Sequence, residues 1–133
     1  MKTSIFFLAV FSCAVTCFFS CNKAGPDGKA IVTVFPTYND YTFINLSNYR
    51  DTVYVKYNTK IMPVNPAKNY DAFFTGSVGE DHVSCKNLKP GNYFFFITGW
   101  DTTSNLRGSA GFAVTVPYKP RKNEVQQKYG LNE

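Results

Sequence analysis

Residues 86–101, KNLKPGNYFFFITGWD, commit the chain to a β fold. Pro90 fixes φ for the second position of a turn and Gly91 offers the positive φ of the third, so Lys89, Pro90, Gly91 and Asn92 read as a type II turn. Tyr93, Phe94, Phe95, Phe96, Ile97 and Thr98 follow, all β-favouring and without alternation. Such a run belongs in a strand covered on both faces, the place of a central strand in a sandwich. It specifies a core and carries no chemistry of its own.

The surrounding segments agree. Residues 30–35 (AIVTVF) form a strand that Pro36 should end, with Ile31, Thr33 and Phe35 on one face and Val32 and Val34 on the other. Residues 41–46 (YTFINL) alternate Tyr41, Phe43 and Asn45 against Thr42, Ile44 and Leu46. In residues 52–57 (TVYVKY), Val53, Val55 and Tyr57 share a face. Pro63 and Pro66 make 58–69 a long irregular loop. Residues 71–75 suit an edge strand, 82–86 place Val83 and Cys85 inward, and 110–116 supply a last strand with Phe112, Val114 and Val116 together. Six or seven short strands separated by turn signals, with no amphipathic helix, predict an all-β fold, an antiparallel β-sandwich over 29–118. The basic segment 119–133, with Lys119, Arg121, Lys122 and Lys128, reads as a flexible tail that is either solvated or in contact with anionic envelope polymers.

The first twenty residues read differently. Lys2 precedes an apolar run over 5–19, too short for a membrane span of about 20 residues and right for a secretory signal peptide. Its end, Phe18-Phe19-Ser20-Cys21, resembles the lipobox of bacterial lipoproteins. That resemblance implies a signal peptide over 1–20 and an acylated Cys21 at the mature N-terminus. Residues 21–28, with NKAGPDG after the cysteine, then read as a flexible tether. Of four cysteines, Cys13 and Cys17 leave with the signal and Cys21 takes the lipid, so Cys85 remains as a lone thiol and an internal disulfide is excluded. The net charge of +5 includes Lys2, and the modest surplus is mostly scattered. An exported chain of this kind gives no reason to expect nucleic acid as a partner.

Taken in order, the acylated cysteine, the strand around Ile31 and Val32, the strand from Val53 to Tyr57, the pair Tyr70-Asp71, the run Asn87-Leu88-Lys89-Pro90-Gly91-Asn92-Tyr93 and the triplet Gly99-Trp100-Asp101 resemble small Bacteroidetes-type lipoproteins. Those proteins carry a sandwich similar to the carboxypeptidase regulatory-like, or transthyretin-like, domain. The resemblance implies an Ig-like or transthyretin-like arrangement and a non-catalytic accessory or binding module. It implies attachment to a membrane, the outer membrane included, on its periplasmic or surface face. It brings no catalytic residues.

Catalysis by a nucleophile needs a base and an orienting group beside it. His82 is the only histidine, and three residues from Cys85 on a strand it points to the opposite face, so the chain reads as no enzyme. Glu80 and Asp81 are either solvated or weak calcium donors, and no cofactor is expected. Aromatic residues are the abundant resource. Tyr38, Tyr41, Tyr49, Tyr54, Tyr70 and Trp100, at strand ends or on outer faces, either cover the sandwich rim or stack on a sugar or peptide, and Trp100, Tyr70 and Tyr38 are the candidate contacts. Asp51-Thr52-Val53 and Asp101-Thr102-Thr103 also resemble the short O-glycosylation signal of exported Bacteroidetes proteins. The expected partners are a membrane, through the lipid, and an envelope protein or a glycan. The alternative function is a carbohydrate-binding accessory module.

Overall fold

The computed structural model describes residues 23–38, 41–101, 105–118 and 123–130, the last segment as backbone. The signal peptide and Cys21 lie outside the described residues, as do the first positions of the basic tail. Eight strands form: β1 (Ala30–Tyr38), β2 (Tyr41–Thr42), β3 (Thr52–Tyr57), β4 (Ala72–Thr75), β5 (Val83–Leu88), β6 (Gly91–Asp101), β7 (Leu106–Val116) and β8 (Asn123–Gly130). They make two sheets, and the fold is the expected all-β sandwich.

One sheet has the order β4-β3-β6-β7 and is antiparallel throughout. The other is built on β1, which pairs antiparallel with β5 and, at its far end, with β2. Alternation puts Val32 and Val34 of β1 and Val83 and Cys85 of β5 on the inner face, and an irregularity in the β1–β5 pairing, with Asn87 at a positive φ of 61°, turns Leu88 inward as well. Val53, Val55, Tyr93, Phe95, Ile97, Phe112, Val114 and Val116 face them from the second sheet, closing one core. The expected edge strand over 71–75 is β4, at the edge of its sheet.

Four local expectations are corrected. Pro36 does not end β1, which runs to Tyr38. Pairing with β5 stops at Val34, so the missing Pro36 amide falls beyond that ladder, while the Pro36 carbonyl still accepts the Phe43 N–H at 3.5 Å. The strand over 41–46 shrinks to Tyr41 and Thr42, because the chain then leaves β1 and Asn45 reaches the loop before β5. There the buried Asn45 amide donates to the Glu80 carbonyl at 2.8 Å and accepts the Asp51 N–H at 2.7 Å.

The tail is not wholly outside the fold, since Asn123–Gly130 is a strand. It lies parallel to β1 in register from Ala30↔Asn123 to Thr37↔Gly130 and brings the count to eight. In NEVQQKYG only Val125 and Tyr129 favour a strand, so the pairing is set by the β1 backbone edge rather than by local propensity.

The tether, too, is held from Ala24 onward. Ala24 is only 6% exposed, and its N–H donates to Asn58 Oδ1 at 2.9 Å. The Gly25 carbonyl accepts the Lys89 N–H at 2.9 Å, and the Gly28 N–H reaches the Asn87 carbonyl at 2.9 Å. A side chain at Gly28 would overlap the Leu88 carbonyl, so glycine here allows close backbone approach rather than flexibility.

These contacts gather on the corner where the chain passes from β5 in one sheet to β6 in the other. Gly91 takes a positive φ of 152°, more extended than the roughly +80° of a type II turn. The buried Tyr93 hydroxyl donates to the Lys89 carbonyl at 2.6 Å and accepts the Gly25 N–H at 3.0 Å. A tyrosine near the start of a strand bonding back to the preceding corner is a recurrent device in sandwich domains. Here it also fastens the N-terminal segment.

Candidate functional site

Along β6, Tyr93, Phe95 and Ile97 point into the core, so Phe94, Phe96, Thr98 and Trp100 line the outer face of the β4-β3-β6-β7 sheet. The expectation of a strand covered on both sides holds at Phe94, which is buried. Its cover includes Met62 from the 58–69 loop, which with the Phe94 ring flanks Gly111. Further along, the face opens.

Register builds an aromatic row on this face. Phe96 pairs with Tyr54, and Tyr54 with Phe73, across three neighbouring strands. The Tyr54 ring centroid lies 6.5 Å from Phe96 and 5.0 Å from Tyr70, and Tyr70 meets Phe73 edge-on at 5.9 Å. Phe73 is 57% exposed, and the residues of β7 opposite Phe96 and Phe94 are only Gly111 and Ala113. Small neighbours leave the rings accessible.

At the Trp100 end the face becomes a shallow site. Trp100 stacks on Tyr49 with centroids 5.5 Å apart and planes 13° from parallel. Pairing sets Arg107 beside Trp100 and Thr52 beside Thr98. With Asn48, Arg50 and Gly99 these residues line an open depression of about 200 Å³. Arg50 and Arg107 form no ion pair with a carboxylate among the described residues. The depression therefore offers an aromatic surface, two guanidinium groups, two hydroxyls and an amide. That is a recognition chemistry for polar or anionic groups with a flat apolar side.

Asp51 lies beneath the site's edge. Its N–H bonds Asn45 Oδ1 and its carbonyl takes the Gly76 N–H, but its buried Oδ2 has no partner. Burial pushes the Asp51 carboxyl up to about 6.

Of the sequence-predicted contact residues, Trp100 lines the depression and Tyr70 sits on the same sheet face in the aromatic row. Tyr38 ends β1 in the other sheet, with its side chain outside the described residues. Of the wider set of rim aromatics, Tyr49 lies in the depression and Tyr54 in the row, whereas Arg50 and Arg107 were not expected. Arg107 could have been found by pairing residues outward from the hairpin between Asp101 and Leu106, whereas Arg50 comes from a loop without a pattern. Of the two candidate glycosylation signals, Asp51 is buried and Thr52 lies half-buried in β3, while Thr102 and Thr103 are outside the described residues.

His82 and Cys85 are not brought together as a catalytic pair. Cys85 is fully buried in the core, where burial holds its thiol pKa far above the ordinary value. The His82 ring packs 5.4 Å from Phe35, with Nδ1 3.0 Å from Asp81 Oδ1 and Nε2 3.7 Å from Glu80 Oε2. Among the described residues no group of three acidic, histidine or cysteine side chains is placed to hold a metal ion. No family model matches the chain, and neither a curated protein nor a solved structure does so.

Proposed function

We propose that this protein is a lipid-anchored, non-catalytic binding module of the cell envelope, which stands on the membrane by one end of its sandwich and holds an envelope partner with the other. The observation carrying this reading is the placement of the two features along β6. Ala24 and Gly25, just after Cys21, are bonded at the Tyr93 end, and the Trp100 depression lies at the opposite end. Seven residue steps of strand, from Tyr93 to Trp100, separate them by about 23 Å. A ligand at Trp100 is thus held clear of the surface to which Cys21 is attached. The resemblance to carboxypeptidase regulatory-like lipoproteins belongs to this reading, and its Leu88-to-Tyr93 motif is the corner that fastens the N-terminal segment.

Labelled palmitate should enter the protein through Cys21, and equal labelling of Cys21→Ser removes the anchor. A second reading, a carbohydrate-binding accessory module, is favoured by the Tyr49–Trp100 stack set among Thr52, Thr98 and two arginines. It predicts glycan-array binding that Trp100→Ala abolishes. A silent array sinks it and leaves the protein partner.

A further inference from the structure

We propose that the 58–69 loop is a second membrane contact, with Ile61 and Val64 entering the headgroup–acyl boundary of the bilayer that receives the Cys21 lipid. The inference rests on the lipid-anchor reading above and adds a surface and a partner to it.

Reach is the first argument. Cys21 is three peptide steps from Ala24, a span of at most about 11 Å. Ala24 is not free to swing, because its N–H is bonded to Asn58 Oδ1 at 2.9 Å and the next residue is tied to Tyr93 and Lys89. Asn58 is the first residue of the loop. A lipid on Cys21 therefore sets the bilayer surface beside this loop rather than elsewhere on the sandwich.

The loop's chemistry is the second. Ile61 is 80% exposed and Val64 82%, the two most exposed large hydrophobic residues among those described. They stand out although the loop is braced. The Asn58 N–H bonds the Asn92 carbonyl at 2.9 Å, and the Asn65 carbonyl accepts the Lys68 and Asn69 amides at 2.8 and 2.9 Å. Beyond the loop, Asp71 pairs with Lys56 at 3.1 Å. Met62 is turned the other way, toward Phe94 beside Gly111. A loop fixed at both ends, with Met62 half on the sheet at 55% exposed and Ile61 and Val64 almost wholly in water, presents those two to something outside the chain. Lys23, Lys60 and Lys68 are exposed around them, matching a bilayer with anionic headgroups.

The test uses the full chain, expressed so that it is processed, purified in detergent and reconstituted into phosphatidylethanolamine–phosphatidylglycerol vesicles whose acyl chains are brominated. Val64→Trp is made in a Trp100→Phe background, and wild type, whose only indole is Trp100, is the reference. Mass spectrometry of each sample reads the acyl group on Cys21. The proposal expects the indole at position 64 to be blue-shifted and to lose emission to the bromines, while Trp100 in wild type keeps its emission. Acylated protein whose position-64 indole is quenched no more than Trp100 overturns the loop contact and leaves the anchor standing. Protein with no acyl group on Cys21 overturns the anchor and the loop contact with it. Ile61→Trp in the same background repeats the measurement at a second site.

Discussion

The two ends of β6 are built on opposite terms. At the Tyr93 end, polar groups from the N-terminal segment, the β5–β6 corner and the start of the loop satisfy one another: Gly25 with Tyr93 and Lys89, Gly28 with Asn87, Ala24 with Asn58. At the Trp100 end, two arginines are without ion-pair partners among the described residues, a buried carboxylate oxygen is unbonded, and an aromatic stack borders an open depression. Buried polar groups left unpaired cost stability, so a fold tolerates them mainly where something else gains. The closed end serves the fold and, in the proposed reading, the anchor, while the open end is available to a partner.

The largest expected effect comes from breaking the closed end. Tyr93→Phe keeps the ring but leaves the Lys89 carbonyl and the Gly25 N–H without their partner, costing about 2–3 kcal/mol in denaturant unfolding. Hydrogen exchange should speed up at Gly25 while Asp51 and Gly76, at the other end, are unaffected. Faster exchange at both ends would mean that they are one cooperative unit and not two.

Asp51→Asn sharpens the contrast from the open end and with the opposite sign. The folded Asp51 carboxyl titrates near 6, against an ordinary 3.8, so between those values the folded protein keeps a proton that the unfolded chain releases. Stability contributed by this group is therefore present at low pH and lost as pH rises through about 6. The variant should be more stable than wild type at pH 7 by about 1–2 kcal/mol and should lose the pH dependence in that window. A wild-type stability that climbs from pH 4 to pH 6 through this residue would contradict it. Smallest is Trp100→Ala, which removes the stack on Tyr49 and costs stability only about 1 kcal/mol.

The same contrast explains what could be read from the chain. Val32 and Val34, Val53 and Val55, and Val83 and Cys85 announce their inward faces by alternation, and Pro90-Gly91 announces the corner, so the sandwich was legible. What the corner does was not. The bonds from Tyr93 to Gly25 span 68 positions and exist only once both sheets are in place, so NKAGPDG looked loose. Strand β8 was hidden because the β1 backbone, not its own residues, selects it. The candidate site was legible through its aromatics, Trp100, Tyr49, Tyr54 and Tyr70. Arg107 depends on the β6–β7 register, and Arg50, like the stacking of Tyr49 on Trp100, on a loop closed by the buried Asn45.

The division of roles is tested most directly by capturing the lipidated protein from its native membrane, as wild type and as Trp100→Ala, and identifying what co-purifies from each. The account predicts that both proteins fractionate with the membrane and that a protein or glycan partner present with wild type is lost from the variant. The same partner on both, or loss of membrane attachment together with the partner, would contradict it.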